Sequence, residues 1–393
     1  MTKHEPAFSV AEYQRRLSLV RGRMEAEGLD ILFVTNPSNM AWLTGYDGWS
    51  FYVHQGVIVL PDADPLWWGR YMDGFGAHRT VWMSNDRVLS YSDDYIQSDD
   101  RHPMQTLAAH LGDLGGAEAR IGVEKENYYF TARAMEVLSA ELPQAVFVDA
   151  TNLCNWQRTV KSAEELVFMR KAGAISSKMI RGLMERVEVG LPKNELVADI
   201  YRDALMGVDG DWGDYPAIVP LLPSGSDAAA AHLTWDGRPF QKDEATFFEI
   251  SGCYRRYHAP FCRTVFLGDP PREMRHAEAA VARGIEAGLK AATPGNRACD
   301  VAIALKSELE RAGITKTGRV GYAVGLSYPP DWGEHTVSLR ETDETLLRPG
   351  MTFHFMPALW MEDWGLELTE TIVIGESGPA ECLCDFPRAL VAK

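Results

Sequence analysis

The chain has 393 residues, 46% apolar and 24% charged, which is too long for one ordinary core and predicts two globular domains. A formal net charge of −16 leaves no basic face for phosphate and argues against a nucleic-acid partner. No apolar run of about 18 residues occurs, the opening MTKHEPAFSV lacks an apolar leader, and six cysteines include no CxxC pair, so a reduced, cytoplasmic protein without a membrane span is expected.

In chain order, a helix is predicted from Ala11 to Glu27, ended by Gly28, and is followed by a buried strand in DILFVTN. PSNMAWLTGY reads as a loop opening a helix, and GVIVLPDADPLWWG as two strands joined by a Pro/Asp turn. ARIGVEKENYYFT and AVFVDAT repeat the strand-to-helix pattern, so residues 1–158 are assigned to an α/β domain. Ser162 and Glu165 form a capping-box signature, after which Leu166, Met169, Ala172, Ile175 and Met179 mark one apolar helix face. Further helices are expected over Arg272–Ala292 and in CDVAIALKSELERAG, with strands rich in Val, Ile, Phe and Thr around them. Residues 159–393 therefore read as an α+β domain.

Several dispersed strings resemble the creatinase, prolidase and aminopeptidase P family: GLDILFVTNPSNMAWLTGY, RTVKSAEELVFMRKA, TPGNRACDVA and LLRPGMTFHFMPALW…LELTETIVIGESG. The resemblance covers essentially the whole chain. It implies a creatinase-type α/β N-terminal domain, an α+β pita-bread catalytic domain and a homodimer. The peptidases of that family hold two metal ions with two Asp, one His and two Glu. Carried onto this sequence, those positions read Glu249, Pro260, Tyr322, Met356 and Glu370. Proline, tyrosine and methionine do not replace ligands of a hard dication, so no metal and no other cofactor is expected.

What remains suits acid–base or nucleophilic chemistry. Glu249 lies in the apolar strand TFFEIS, where a charge is costly unless it has a use. The resemblance implies that Glu370 approaches it and that His232 takes part in proton transfer, and Glu249, His232 and Glu370 are the catalytic candidates. Glu367 is read as facing solvent. His258, Tyr322 and His354 fall on strands or segments that lost ligands, and Asp47, Phe51, Tyr52, Tyr215 and Trp332 sit in aromatic loops suited to a small cation or zwitterion. Longer strings, among them DYPAIVPLLPSGSDAAAAHLTWDGRPF and GLSYPPDWGEHTVSLR, resemble a metal-free branch of the family. That branch implies hydrolysis of a C–N bond in a cyclic amidine carrying a carboxylate, and a functional link to a deacetylase. The alternatives are another creatinase-like amidine or guanidine hydrolase and a pita-bread module that binds without turnover.

Overall fold

The computed structural model describes residues 4–393; the first three residues of the N-terminal stretch read as leaderless lie outside them. The chain divides into two compact units between Gln157 and Arg158. None of the helices among the described residues is long and apolar enough to cross a membrane.

In the first unit, helix Val10–Glu27 starts where the Ser9 hydroxyl accepts the Glu12 amide. It stops at Gly28, whose φ of 64° is left-handed and lets its amide reach back to the Glu25 carbonyl. The six-stranded sheet runs in the order Val88–Tyr91, Leu66–Arg70, Gly56–Val59, Ile31–Val34, Arg120–Val123, Val146–Asp149. Ile31–Val34 pairs antiparallel to Gly56–Val59 on one side and parallel to Arg120–Val123 on the other. Ile31, Phe33, Ile58 and Ile121 share a core with Leu107 and Leu138 of the helices Pro103–Asp113 and Ala132–Glu141.

The second unit is α+β. Ser162 and Glu165 cap helix Ala163–Arg186 reciprocally, and Met169, Ala172, Ile175 and Met179 form its buried face. A helix absent from the sequence reading, Lys193–Met206, follows Pro192 and buries Leu196, Val197, Ile200 and Ala204. Both helices cover one face of the antiparallel hairpin Ala245–Tyr254/Tyr257–Phe266 through Phe248, Ile250 and Phe261. Its two-residue turn places Arg255 and Arg256 at φ 50° and 68°, the left-handed pair a tight hairpin demands. The Arg256 amide donates to Asp214 Oδ2 at 3.1 Å, and its guanidinium lies 3.6 Å from the Tyr215 ring centre.

A five-stranded antiparallel sheet completes the unit, in the order Gly333–Ser338, Gly321–Val324, Thr352–Phe355, Glu370–Val373, Glu381–Cys382. Helices Arg272–Ala291 and Ala298–Arg311 seal one face of it against Phe353, Phe355 and Ile372.

Helix Ala163–Arg186 approaches the hairpin most closely at Gly252. The Gly252 amide donates to Ser176 Oγ at 2.7 Å, and Ser176 Oγ donates onward to the Ala259 carbonyl. A Cβ at position 252 would stand 2.4 Å from the Ala172 carbonyl oxygen and 2.6 Å from the Ser176 nitrogen, both backbone atoms. Gly252→Ala is therefore expected to cost about 1–3 kcal/mol, read as a lower urea midpoint with an unchanged m-value.

Candidate active site

Alternation along the strands decides which side chains meet. On the hairpin, Phe248, Ile250 and Phe261 face the helices, so Phe247, Glu249 and Cys262 face the other way, with Glu249 directly opposite Cys262 in register. In the facing strand region, Leu366, Leu368 and Ile372 pack under the helices Arg272–Ala291 and Ala298–Arg311. Glu367, Thr369 and Thr371 thereby take the hairpin side. The Glu367 amide donates to Thr264 Oγ1 at 2.9 Å, the Thr369 amide to the Cys262 carbonyl at 3.1 Å, and Thr371 Oγ1 to the Pro260 carbonyl at 2.6 Å.

Four of the residues expected from sequence converge there. Glu249 is 6% exposed, and its Oε1 lies 3.8 Å from His354 Nδ1. His354 Nδ1 also meets the Tyr322 hydroxyl at 3.1 Å, while Nε2 meets Thr369 Oγ1 at 2.8 Å. The Trp332 indole donates to the Tyr322 hydroxyl at 2.8 Å. Because that indole is only a donor, Tyr322 has its own proton left for His354 Nδ1, which assigns the His354 proton to Nε2, donated to Thr369.

Burial and like charge set the protonation pattern. Burial, then the charges of Glu367 and Asp331, hold the Glu249 carboxyl well above its usual range. Glu367 is 1% exposed, and burial pushes it up to about 7. Neither of its oxygens has a hydrogen-bond partner among the described residues. Lys316, donating to the Ala358 carbonyl at 2.6 Å, is pulled down by burial to about 8. His354 is lowered by burial, with a smaller push from Arg319, to about 3, so its ring is neutral and its contact with Glu249 is no salt bridge at neutral pH. Burial also drives the Cys262 thiol up, away from thiolate chemistry.

The other expected residues are placed differently. Glu370 does not join Glu249: it shares the parity of Leu368 and Ile372, and its Oε1 pairs with Arg263 at 2.6 Å and with Arg388 at 3.1 Å on the far face. Thr369 occupies the site side in its stead. Glu367, read as solvent-facing, is buried in the site; its parity with Thr369, between Leu366 and Leu368, is the signal that would have found it. His232 stands on an exposed turn after the 3-10 segment Gly225–Ala229 and makes no hydrogen bond to the cluster among the described residues. His258 is fully buried, but Nε2 accepts the Ala217 amide and Nδ1 faces the Arg256 carbonyl, each at 2.9 Å, so it acts as a neutral structural clip between loop and turn. One face of the Tyr215 ring is taken by Arg256. Asp47, Phe51 and Tyr52 belong to a loop of the first unit, where Phe51 packs 4.7 Å from Trp49 and 5.8 Å from Tyr129 and Tyr52 is 69% exposed.

The donor set does not suit a pair of hard cations. Pro260, Tyr322 and Met356 stand at three expected ligand positions, both His354 nitrogens are engaged, and Glu370 is turned away. Among the described residues no group of three or more His, Cys, Asp or Glu side chains is arranged to hold a metal ion.

Two outcomes test this placement. Glu370→Ala strands the buried Arg263 cation and is expected to destabilise the fold by about 3–5 kcal/mol in denaturant unfolding; a loss within about 0.5 kcal/mol would contradict the pairing. For Glu367, the folded-state value of about 7 lies above the ordinary 4.5. The native state thus holds a proton that the unfolded chain has released between those pH values, and stability falls as pH rises through that window. Glu367→Gln removes this term, so its melting temperature relative to the parent is expected to rise from pH 5 to pH 8.

Residues 167–376 match metallopeptidase family M24, and residues 16–160 match the creatinase/prolidase N-terminal domain. The chain is 54% identical to the ectoine hydrolase of Halomonas elongata over 98% of each chain. It is 38% identical to an uncharacterized hydrolase/peptidase of Sinorhizobium fredii, again over 98% of each chain. Its fold superimposes on the crystal structure of dipeptidase PepE from Mycobacterium ulcerans with a TM-score of 0.79 at 24% identity, covering 98% of this chain and 99% of that one. The α/β unit followed by an α+β pita-bread unit, with two buried carboxyls at its centre, thus belongs to metallopeptidase family M24 with a creatinase/prolidase N-terminal domain, and the protein is a hydrolase of that family.

Proposed function

We propose that this hydrolase opens the cyclic amidine ring of ectoine to N-acetyl-2,4-diaminobutyrate without a metal, with 5-hydroxyectoine as a second candidate substrate, and that Glu249 carries the attack. The observation behind the reading is the Glu249 carboxyl, buried beside neutral His354 and Tyr322 in a site whose donors do not suit a metal pair. The identity of 54% along nearly the whole chain to an ectoine hydrolase supports the choice of substrate.

The chemistry is consistent with these groups. A protonated amidine carbon is already electrophilic and needs no Lewis acid. An entering amidinium favours the ionised form of Glu249 by Coulomb attraction, opposing the burial that raises its carboxyl. The carboxylate then bonds to the amidine carbon directly or takes a proton from the water that does so. Breaking one ring C–N bond puts the electron pair and a proton on the departing nitrogen; with one water consumed, the products are an acetamide and an ammonium in one molecule. The neutral His354–Tyr322–Trp332 chain holds the site's shape without adding a competing cation. His232, on its exposed turn, is not assigned the proton delivery.

The reading includes a cytoplasmic homodimer and keeps Asp47, Phe51 and Tyr52 as candidate substrate-binding residues. It also includes a functional link to a deacetylase, since an N-acetylated amine is what such an enzyme consumes.

Proton NMR of ectoine with chelator-treated protein tests the proposal. Appearance of the open-chain acetyl methyl signal is expected, with a rate about 10²–10⁴-fold lower in Glu249→Gln. An intact ring in the parent overturns the substrate, and a panel of amidines and guanidines then identifies the class. Unchanged turnover in Glu249→Gln overturns the role of that residue, and turnover that needs added divalent metal overturns metal independence.

A further inference from the structure

We infer that Glu367 is the receptor for the delocalised cation of the substrate, its carboxylate accepting one ring N–H of the amidinium while Glu249 addresses the adjacent carbon. The inference rests on the amidine reading above and assigns the ligand-binding carboxylate of the site.

Glu367 is held with unusual definition for a carboxyl with no charged side chain bonded to it. Its backbone is locked on both sides by one hydroxyl: the Glu367 amide donates to Thr264 Oγ1 at 2.9 Å, and Thr264 Oγ1 donates to the Glu367 carbonyl at 3.0 Å. Leu366 and Leu368, both fully buried, anchor the neighbouring positions in the helix-side core. The side chain is thereby fixed beside the hairpin, near Cys262, the register partner of Glu249.

A carboxyl this deeply buried normally spends its oxygens on donors, because leaving them unmet costs several times the net value of a hydrogen bond. The same region shows how the fold meets that demand elsewhere. Glu370, three residues on, has Arg263 and Arg388, and Glu334 has Lys161 at 2.7 Å. At Glu367 neither oxygen meets an N–H or O–H donor among the described residues, and the Cys262 thiol beside it is only a weak, neutral donor. The nearby cation, Lys316, directs its ammonium to the Ala358 carbonyl and lies 5.2 Å from the Trp360 ring centre. A missing partner that brings an N–H donor and one positive charge matches an amidinium, whose ring N–H would form a charge-assisted hydrogen bond with this carboxylate. Cys262, an apolar thiol at this burial, supplies no competing charge between the two carboxyls.

The experiment is steady-state kinetics of ectoine opening for the parent, Glu367→Gln and Glu367→Asp, alongside thermal shifts with acetamidinium and with neutral acetamide. A charge-assisted pair predicts a KM raised about 10- to 100-fold in Glu367→Gln with a smaller change in kcat, and partial recovery in Glu367→Asp. Acetamidinium, and not acetamide, is expected to raise the melting temperature of the parent and to lose that effect in Glu367→Gln. A KM within twofold of the parent overturns the inference, as does a fall in kcat with KM unchanged. Equal shifts of parent and Glu367→Gln by acetamidinium overturn it as well. If the parent leaves ectoine intact, the substrate reading fails, while a shift by acetamidinium that needs Glu367 still sustains the receptor and its absence removes it. A low yield of folded Glu367→Gln leaves the decision to Glu367→Asp, whose unchanged KM likewise overturns the assignment.

Discussion

Side-chain alternation in the hairpin Ala245–Tyr254/Tyr257–Phe266 and in the neighbouring strand region 366–373 sorts the buried charges of the second unit into two populations. Arg263 and Glu370 fall on one side and neutralise each other at 2.6 Å. Glu249 and Glu367 fall on the other, flanking Cys262, and have no cation of the protein bonded to them. The period of two in a strand admits no compromise: a residue belongs to one face or the other, and a shift by one position would exchange the whole set. The paired side sustains the fold, and the unpaired side is available for chemistry.

The unpaired side has an energetic cost, which appears as carboxyls held above their usual range, Glu367 at about 7. A fold optimised only for stability would supply an arginine there, as it does for Glu370. Instead a neutral chain of Tyr322, Trp332, His354 and Thr369 packs there, each engaged with the next, while the charges of Asp331 and Lys316 act on the carboxyls without bonding to them. Such a network, with each member engaged, fixes the shape of the site. The same arrangement is poorly suited to a metal pair, whose ligands must converge with free lone pairs.

The fold elements were legible where local signals are strong. The capping box at Ser162 and Glu165, the Gly28 stop and the strand pair in GVIVLPDADPLWWG all lie within a few residues of their own cause. Helix Lys193–Met206 was not singled out, although Leu196, Ile200 and Ala204 carry its spacing, because the Gly-Leu-Pro entry resembles a loop. Among site residues, Glu249 was legible because a charge in TFFEIS has no inexpensive local explanation. Glu367 and Glu370 were assigned to the wrong environments, since LELTETIV offers two alternating sets and only the neighbouring layer says which is inside.

Sequence alone therefore determined the two-domain order and the helices with explicit caps, showed Pro260, Tyr322 and Met356 where the family resemblance implies metal ligands, and singled out Glu249 as a charge in an apolar strand. Tertiary structure alone decided that Glu370 belongs to Arg263, that His258 is a clip between loop and turn, that His232 stays on the surface, and that Glu367 is the second carboxyl of the site. The reason is physical. A side chain's chemistry is local to its residue, but its protonation and its partner depend on what is packed against it, and those groups arrive from strands about 100 residues away in the chain, as Arg263 does for Glu370 and Thr264 for Glu367.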